Sequence, residues 1–168
     1  GLEAIRTGEN TRTAELYEID EDYRREPEKN LFHFLGAWLI DDAFHDLLWH
    51  PAVTTKAAQL LGVERLRFWH DQVFYKPARH PGVVTWHQDY SYWTRSVPVG
   101  HVTCWIALDD STEENGCLQY VPGSHRFGLL PRISLTKDMD AVREFLTPEQ
   151  AAAFDPVPMV VQAGECTF

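Results

Sequence analysis

The stretch His101-Val102-Thr103-Cys104-Trp105-Ile106-Ala107-Leu108-Asp109 alternates along its length. Val102, Cys104, Ile106 and Leu108 fall on one face, and His101, Thr103, Trp105 and Ala107 on the other. This is the period of two that a β-strand imposes on its side chains. The first face is aliphatic and suits packing on an apolar layer; the second can look into an enclosed space. Beyond it, Asp110 to Gly116 is rich in turn formers, and Asn115-Gly116 suits a tight turn because both residues tolerate positive φ. Cys117 to Val121 reads as a short strand, and Pro122-Gly123-Ser124 as a second break. Upstream, Arg65 to Lys76 is rich in aromatic and β-branched residues and ends at Pro77, and Val83 to Trp86 follows as another strand. Near the end, Val157, Met159 and Val161 read as one strand, Gly164 as a turn, and Cys166 and Phe168 as the start of another. A chain stopping there leaves a strand edge without its partner.

Helical signals flank these strands. Asp41–Asp42 can cap a helix running to about Trp49. Pro51 sits in the favoured first turn of a second, with Val53, Ala57, Leu60 and Leu61 at helical spacing and Gly62 at its stop. Asp138 to Leu146 is a plausible helix, and Thr147-Pro148-Glu149-Gln150 has the form of a capping box. Short strands with two helices before them predict a mainly β domain, an antiparallel sandwich or barrel with helices packed outside. Residues 1–30 are polar and charged and read as a surface segment, leaving 31–168 as the domain proper.

The chain has 168 residues, one domain by length, and 44% hydrophobic residues, enough for a core. Its formal net charge of -10 and the lack of any Lys/Arg run argue against nucleic acid or an anionic membrane as partner. A small-molecule substrate remains open, because a pocket can be basic inside an acidic protein. No apolar stretch approaches the roughly 18–20 residues needed to span a bilayer, and no signal peptide opens the chain. Cys104, Cys117 and Cys166 are far apart in sequence and lack CxxC spacing. They read as reduced, buried thiols of a cytoplasmic protein.

The chemistry concentrates in Trp86-His87-Gln88-Asp89-Tyr90. A His and an Asp two apart, on a strand end or a turn, can meet one metal ion. With a distant second His they make the facial triad of non-haem Fe(II) oxygenases. The pair alone is weak evidence, since 8 His and 25 acidic residues in 168 produce about one such pair by chance. The ordinary alternative is a His and an Asp satisfied by hydrogen bonds in a loop.

Four pieces in order change that weight: Gln72-Val-Phe-Tyr-Lys-Pro77, Trp86-His-Gln-Asp-Tyr-Ser-Tyr-Trp93, Thr103-Cys-Trp-Ile-Ala-Leu-Asp-Asp110, and Glu114-Asn-Gly-Cys-Leu-Gln-Tyr-Val-Pro-Gly-Ser-His-Arg126. Together they resemble the phytanoyl-CoA dioxygenase family of Fe(II)/2-oxoglutarate-dependent oxygenases, over roughly residues 31–168. The resemblance implies a double-stranded β-helix, the jelly-roll or cupin-like barrel with flanking α-helices, here incomplete at its C-terminus. It implies His87 and Asp89 as metal ligands and catalytic residues, and Gln72 and Trp105 as lining the cosubstrate pocket. The alternatives are core packing for Trp105 and a hydrogen bond to nearby backbone for Gln72. Tyr90, Tyr92 and Trp93 are candidates for a substrate-pocket wall or ordinary core. His125 belongs to a loop signature rather than to the ligands, and His70, His80 and His101 read as solvated or hydrogen-bonded.

The family pattern also has a late His as third ligand and an Arg about ten residues further on for the distal carboxylate of 2-oxoglutarate. Both are expected beyond Phe168, after Gly164-Glu165-Cys166-Thr167-Phe168, and without them the chain as given is expected to be inactive. A Lys found upstream in some members has no match; His33 and Phe34 lie near its place. The implied reaction oxidises a substrate C–H bond with Fe(II), 2-oxoglutarate and O2, releasing succinate and CO2. The carboxylate ligand favours hydroxylation over halogenation. A non-catalytic jelly-roll binding module, or a cupin-type metalloenzyme that does not use 2-oxoglutarate, are the rival readings.

Overall fold

A computed structural model describes residues 1–19, 31–94, 96–135 and 138–168. It divides into two compact units, Gly1–Gly82 and Val83–Phe168.

The first unit is built on three antiparallel strands, β1 (Glu18–Ile19), β2 (Phe32–Leu35) and β3 (Gln72–Tyr75), in the order β1-β2-β3. Strand alternation puts Phe32 and Phe34 of β2 inward, both fully buried, and leaves His33 and Leu35 half-buried. Register sets Phe34 opposite Val73 and His33 opposite Phe74. The inward side chains gather with Ile5, Ala37 and Ile40 into an apolar core. Each large aliphatic or aromatic side chain so buried contributes about 1.5–3 kcal/mol. Ile5 comes from α1 (Leu2–Thr7) and is fully buried. Within residues 1–19, read as a polar surface segment, Ile5 is buried and Leu2, Leu16 and Ile19 pack partly against the same core. The rest of that segment, 20–30, lies outside the described residues.

Two helices follow as their caps dictate. In α2 (Asp42–Leu47) the Asp41 carboxylate accepts from the backbone N–H of Ala43 and Phe44. In α3 (Pro51–Leu61) Pro51 opens the first turn and Gly62 closes the helix at φ 65°. Asp71 ties the sheet to the turn before them, accepting from Gly36 N and Trp38 N at 2.9 Å each. Gly36 has φ 99°, and a Cβ there would meet Tyr17 N at 3.1 Å, so only glycine fits this junction. Of the strand expected over Arg65–Lys76, only β3 forms, because only Gln72–Tyr75 find a partner strand.

The second unit carries a broken antiparallel ribbon. β4 (Trp105–Ile106) pairs with β7 (Cys166–Thr167), setting Trp105 opposite Thr167 and Ile106 opposite Cys166. The pairing continues through Ser111 opposite Val161. The Thr112–Cys117 turn then displaces the register, and β5 (Gln119–Tyr120) resumes against β6 (Val157–Pro158). Asn115 closes the turn with its side chain, accepting from Thr112 N at 2.8 Å and donating to Asp110 O at 2.7 Å, while Gly116 alone takes positive φ, 90°. Strand β7 pairs with β4 on one side, in a sheet that among the described residues has two strands. The short helix α4 (Pro148–Ala152) opens with the capping box of Thr147 and Gln150. Ala141–Phe145, inside the helix expected over Asp138–Leu146, is a 3-10 turn.

Three strand expectations are corrected here. Val83–Trp86 forms no strand, the 101–109 strand shrinks to Trp105–Ile106, and the 117–121 strand to Gln119–Tyr120. The assignment of faces also changes: Ala107 is buried and Leu108 is 48% exposed, the reverse of an aliphatic inner face. Alternation identifies a chain able to be a strand; the partner decides its length and which face is covered.

The mainly small sheets with few helices agree with the β-rich class expected. Among the described residues no helix is long and apolar enough to cross a membrane.

Candidate metal centre

His87 and Asp89 lie in the second unit, on an irregular extended run that ends in the 3-10 turn Asp89–Ser91. Two residues apart on such a turn, their side chains converge: His87 Nε2 is 3.1 Å from Asp89 Oδ1. The other ring nitrogen, Nδ1, donates to the carbonyl of Thr85 at 2.7 Å. That bond sets the tautomer and directs Nε2 at the carboxylate. Asp89 is supported in turn, its Oδ2 accepting from Thr103 Oγ1 at 2.6 Å. The side chains of His87 and Asp89 are 26% and 39% exposed, so the pair is reachable from solvent. Burial disfavours the charged ring of His87. The Asp89 carboxylate and the Thr85 carbonyl outweigh that effect and hold its pKa above the usual imidazole value.

This geometry fits a metal ion. First-row divalent metals bind imidazole nitrogen and carboxylate oxygen at about 2.0–2.2 Å, so two ligands at right angles stand about 3 Å apart. The observed Nε2–Oδ1 separation of 3.1 Å is that spacing. An imidazole held by a backbone carbonyl and a carboxylate held by a hydroxyl form the supported donor set such sites use. Among the described residues, no third His, Cys, Asp or Glu joins them into a group of three. His125 in particular is exposed, on the 3-10 turn Ser124–Arg126.

The aromatic candidates part company. The Tyr92 ring meets the His87 ring edge-on, with centroids 5.8 Å apart. Arg132 lies over the other partner surface of Tyr92, its guanidinium carbon 5.0 Å from the ring centre. Tyr90 and Trp93 pack instead against His101, at 5.6 and 6.3 Å, and His101 is bonded to Ser96 Oγ at 2.5 Å. Tyr92 is thus in ring contact with His87. Trp105 is half-buried in β4, two residues past Thr103.

Gln72 belongs to the first unit. Its amide oxygen faces His33 Nε2 at 3.1 Å, and its amide nitrogen donates to His70 Nε2 at 2.9 Å. Its partners are two imidazoles, not the neighbouring backbone. His33 also stacks on Phe74, with ring centroids 4.5 Å apart. His80 is buried, with Nδ1 accepting from Gly82 N at 3.0 Å.

Three residues of the site escaped the sequence reading. Thr103 shares the face of Trp105 in the alternating stretch, a signal that was present but gave no reason to pair it with Asp89. Thr85 had no signal because it acts on His87 through a backbone carbonyl, which every residue carries, and Gln88 had none because its partners Gly128 and Leu130 lie 40 and 42 residues away. The cysteines hold a related surprise. All three are free thiols, yet the pairing of β4 with β7 brings Cys166, distant in sequence, beside Cys104. Burial first, then the neighbouring Cys166, pushes the Cys104 thiol up to about 12.

Residues 2–168 match the family described as phytanoyl-CoA dioxygenase (PhyH). The chain is 30% identical over 141 residues to mouse phytanoyl-CoA dioxygenase domain-containing protein 1, covering 82% of this chain and 48% of the relative. It is 30% identical over 146 residues to an Arabidopsis thaliana phytanoyl-CoA dioxygenase, covering 85% of this chain and 47% of the relative. It is 34% identical over 98 residues to an L-proline trans-4-hydroxylase of Streptomyces griseoviridis, covering 56% of this chain and 36% of that protein. The chain thus spans less than half the length of these curated relatives. With a match extending over nearly its whole length, the chain belongs to the phytanoyl-CoA dioxygenase family.

Proposed function

We propose that the protein is an Fe(II)/2-oxoglutarate-dependent oxygenase that hydroxylates, or otherwise oxidises, a C–H bond of a small organic substrate. The observation that carries this reading is the convergence of His87 Nε2 and Asp89 Oδ1 at 3.1 Å, each with its far atom already held by Thr85 or Thr103. Family membership and a hydroxylase among the relatives support the same class. The proposal includes a jelly-roll barrel over residues 31–168, a cytoplasmic setting consistent with three free thiols, and a small-molecule partner.

His87 and Asp89 would hold Fe(II) through Nε2 and Oδ1. When bound, Fe(II) with 2-oxoglutarate supplies O2 activation and oxidation of the C–H bond, with release of succinate and CO2. The chain's own residues supply orientation. Thr85 holds the His87 proton at Nδ1, which leaves Nε2 as the donor atom. Thr103 donates to Asp89 Oδ2, while Oδ1 faces His87 Nε2 and would be the oxygen on the metal side. Tyr92 walls one side of the imidazole and limits water there. Gln72 and Trp105 are assigned to the cosubstrate, and Tyr90, Tyr92 and Trp93 to the substrate side.

The test uses the protein in the length its gene encodes. With Fe(II), 2-oxoglutarate is expected to turn over to succinate, and His87→Ala to abolish that turnover. Turnover retained in the mutant sinks the assignment of His87. A wild-type protein whose melting temperature shows no Fe(II)-dependent response to 2-oxoglutarate is instead a binding module, and one that binds metal but ignores 2-oxoglutarate is a different metalloenzyme.

A further inference from the structure

The run carrying His87 and Asp89 has no strand of its own to hold it. Its polar groups pair with a second irregular run, residues 128–135. Thr85 N donates to Leu135 O at 3.0 Å, and Thr85 Oγ1 donates to Ser134 O at 3.2 Å. Gln88, between the two proposed ligands, spends both ends of its amide there. Its Nε2 donates to Gly128 O, and its Oε1 accepts from Leu130 N, each at 2.9 Å. Ser91 Oγ donates to Leu130 O at 2.7 Å, and Tyr92 OH donates to Ile133 O at 2.5 Å while accepting from Ile133 N at 3.3 Å. Thr85 is nearly fully buried, at 1% exposure, and its carbonyl is the one that orients His87.

A loop that merely crosses a surface satisfies its backbone with water. This one has its carbonyls and amides met in succession by side chains of a single turn. We propose that residues 128–135 are the template that holds the metal turn in shape, and that Gln88 is the positioning residue that locks the two together. The inference rests on the metal-site reading above. Gln88 touches no metal. It acts by fixing the backbone between His87 and Asp89, so that both side chains leave the turn toward one point. The unsupported turn is free to splay, and two ligands that must first be brought together bind a metal more weakly. Outer residues that orient ligands are typically worth 10–100-fold in metal affinity.

Co(II) is the probe, since its visible absorption reports the number and geometry of its ligands. Four forms of the gene-length protein are compared: wild type, His87→Ala, Gln88→Met and Gln150→Met. Gln150 is the control. Its amide donates to Phe127 O at 2.9 Å beside the same segment and closes the capping box of α4, without touching the metal turn. The proposal expects Gln88→Met to weaken Co(II) binding at least tenfold and alter its absorption, and to speed hydrogen exchange at the Leu130 amide. Gln150→Met should destabilise the protein comparably yet keep wild-type affinity. Should Gln88→Met fail to fold, Tyr92→Phe serves: it keeps the ring on His87, removes only the bonds to Ile133, and is expected to weaken Co(II) several-fold. Equal affinity in wild type and Gln88→Met (or Tyr92→Phe), or equal losses in Gln88→Met and Gln150→Met, overturns the template and leaves the metal site standing. Wild type binding Co(II) no better than His87→Ala overturns the metal site itself, and the template with it.

Discussion

Of the largest fully buried side chains, Phe32, Phe34 and Ile5 lie in the first unit, and Thr85 lies in the second. The contrast captures how the two regions are held. The first has an apolar core in which large side chains fill space without directional demands. The second buries small residues such as Ala107, Cys117, Val121 and Val142, and around His87 and Asp89 relies on side chain to backbone hydrogen bonds. Apolar burial stabilises strongly but tolerates small rotations. A hydrogen bond is worth only about 0.5–1.5 kcal/mol net, yet it specifies distance and angle. The region that sets His87 against Asp89 is the one built from directional bonds.

The comparison can be broken first where it predicts the largest effect. Phe34→Ala, at a fully buried site between Val73 and the rest of the core, should cost about 3–5 kcal/mol by urea denaturation. A loss below 1 kcal/mol would mean that the aromatic core is not what stabilises the first unit. Thr85→Val keeps the volume and removes the bond to Ser134 O, and should cost about 1–3 kcal/mol. If it is neutral, the second unit does not depend on that network, and the contrast drawn above fails.

The smallest effect concerns Cys104. Its thiol is raised from 9.0 to about 12 in the fold, so the folded state binds that proton more tightly than the unfolded chain does. The resulting stability is fully present below about pH 9 and is lost as pH rises through about 12. The stability difference between wild type and Cys104→Ala should therefore shrink across that window. A difference that stays constant with pH would show that the thiol is not held against Cys166 as described.

How much of this was legible before the fold was known depended on the range of the interaction involved. The helix ends were readable because their causes are local: Asp41 reaches two and three residues ahead, Gly62 supplies its own φ, and Thr147 bonds Gln150 within one turn. His87 and Asp89 were readable as a pair because two residues on a turn cannot be far apart. The strands were overdrawn at Arg65–Lys76, Val83–Trp86 and His101–Asp109, since alternation permits pairing but a ladder needs a partner brought from elsewhere in the chain. The sequence offered a backbone hydrogen bond for Gln72 and missed its two imidazole partners, because one of them, His33, comes from the neighbouring strand.

By itself the amino-acid order determined the family motifs, the helix caps, the acidic charge and the identity of the two ligand candidates, all of which depend on residue type and on neighbours within a turn or two. Only the tertiary structure decided which hydroxyl bonds Asp89, that Cys104 lies beside Cys166, and that the turn carrying His87 and Asp89 bonds residues 128–135 rather than a strand. Those outcomes join positions distant along the chain. Their partners are a hydroxyl, a thiol and backbone carbonyls brought in from elsewhere in the chain, and no local pattern marks which of the many such groups will be the one.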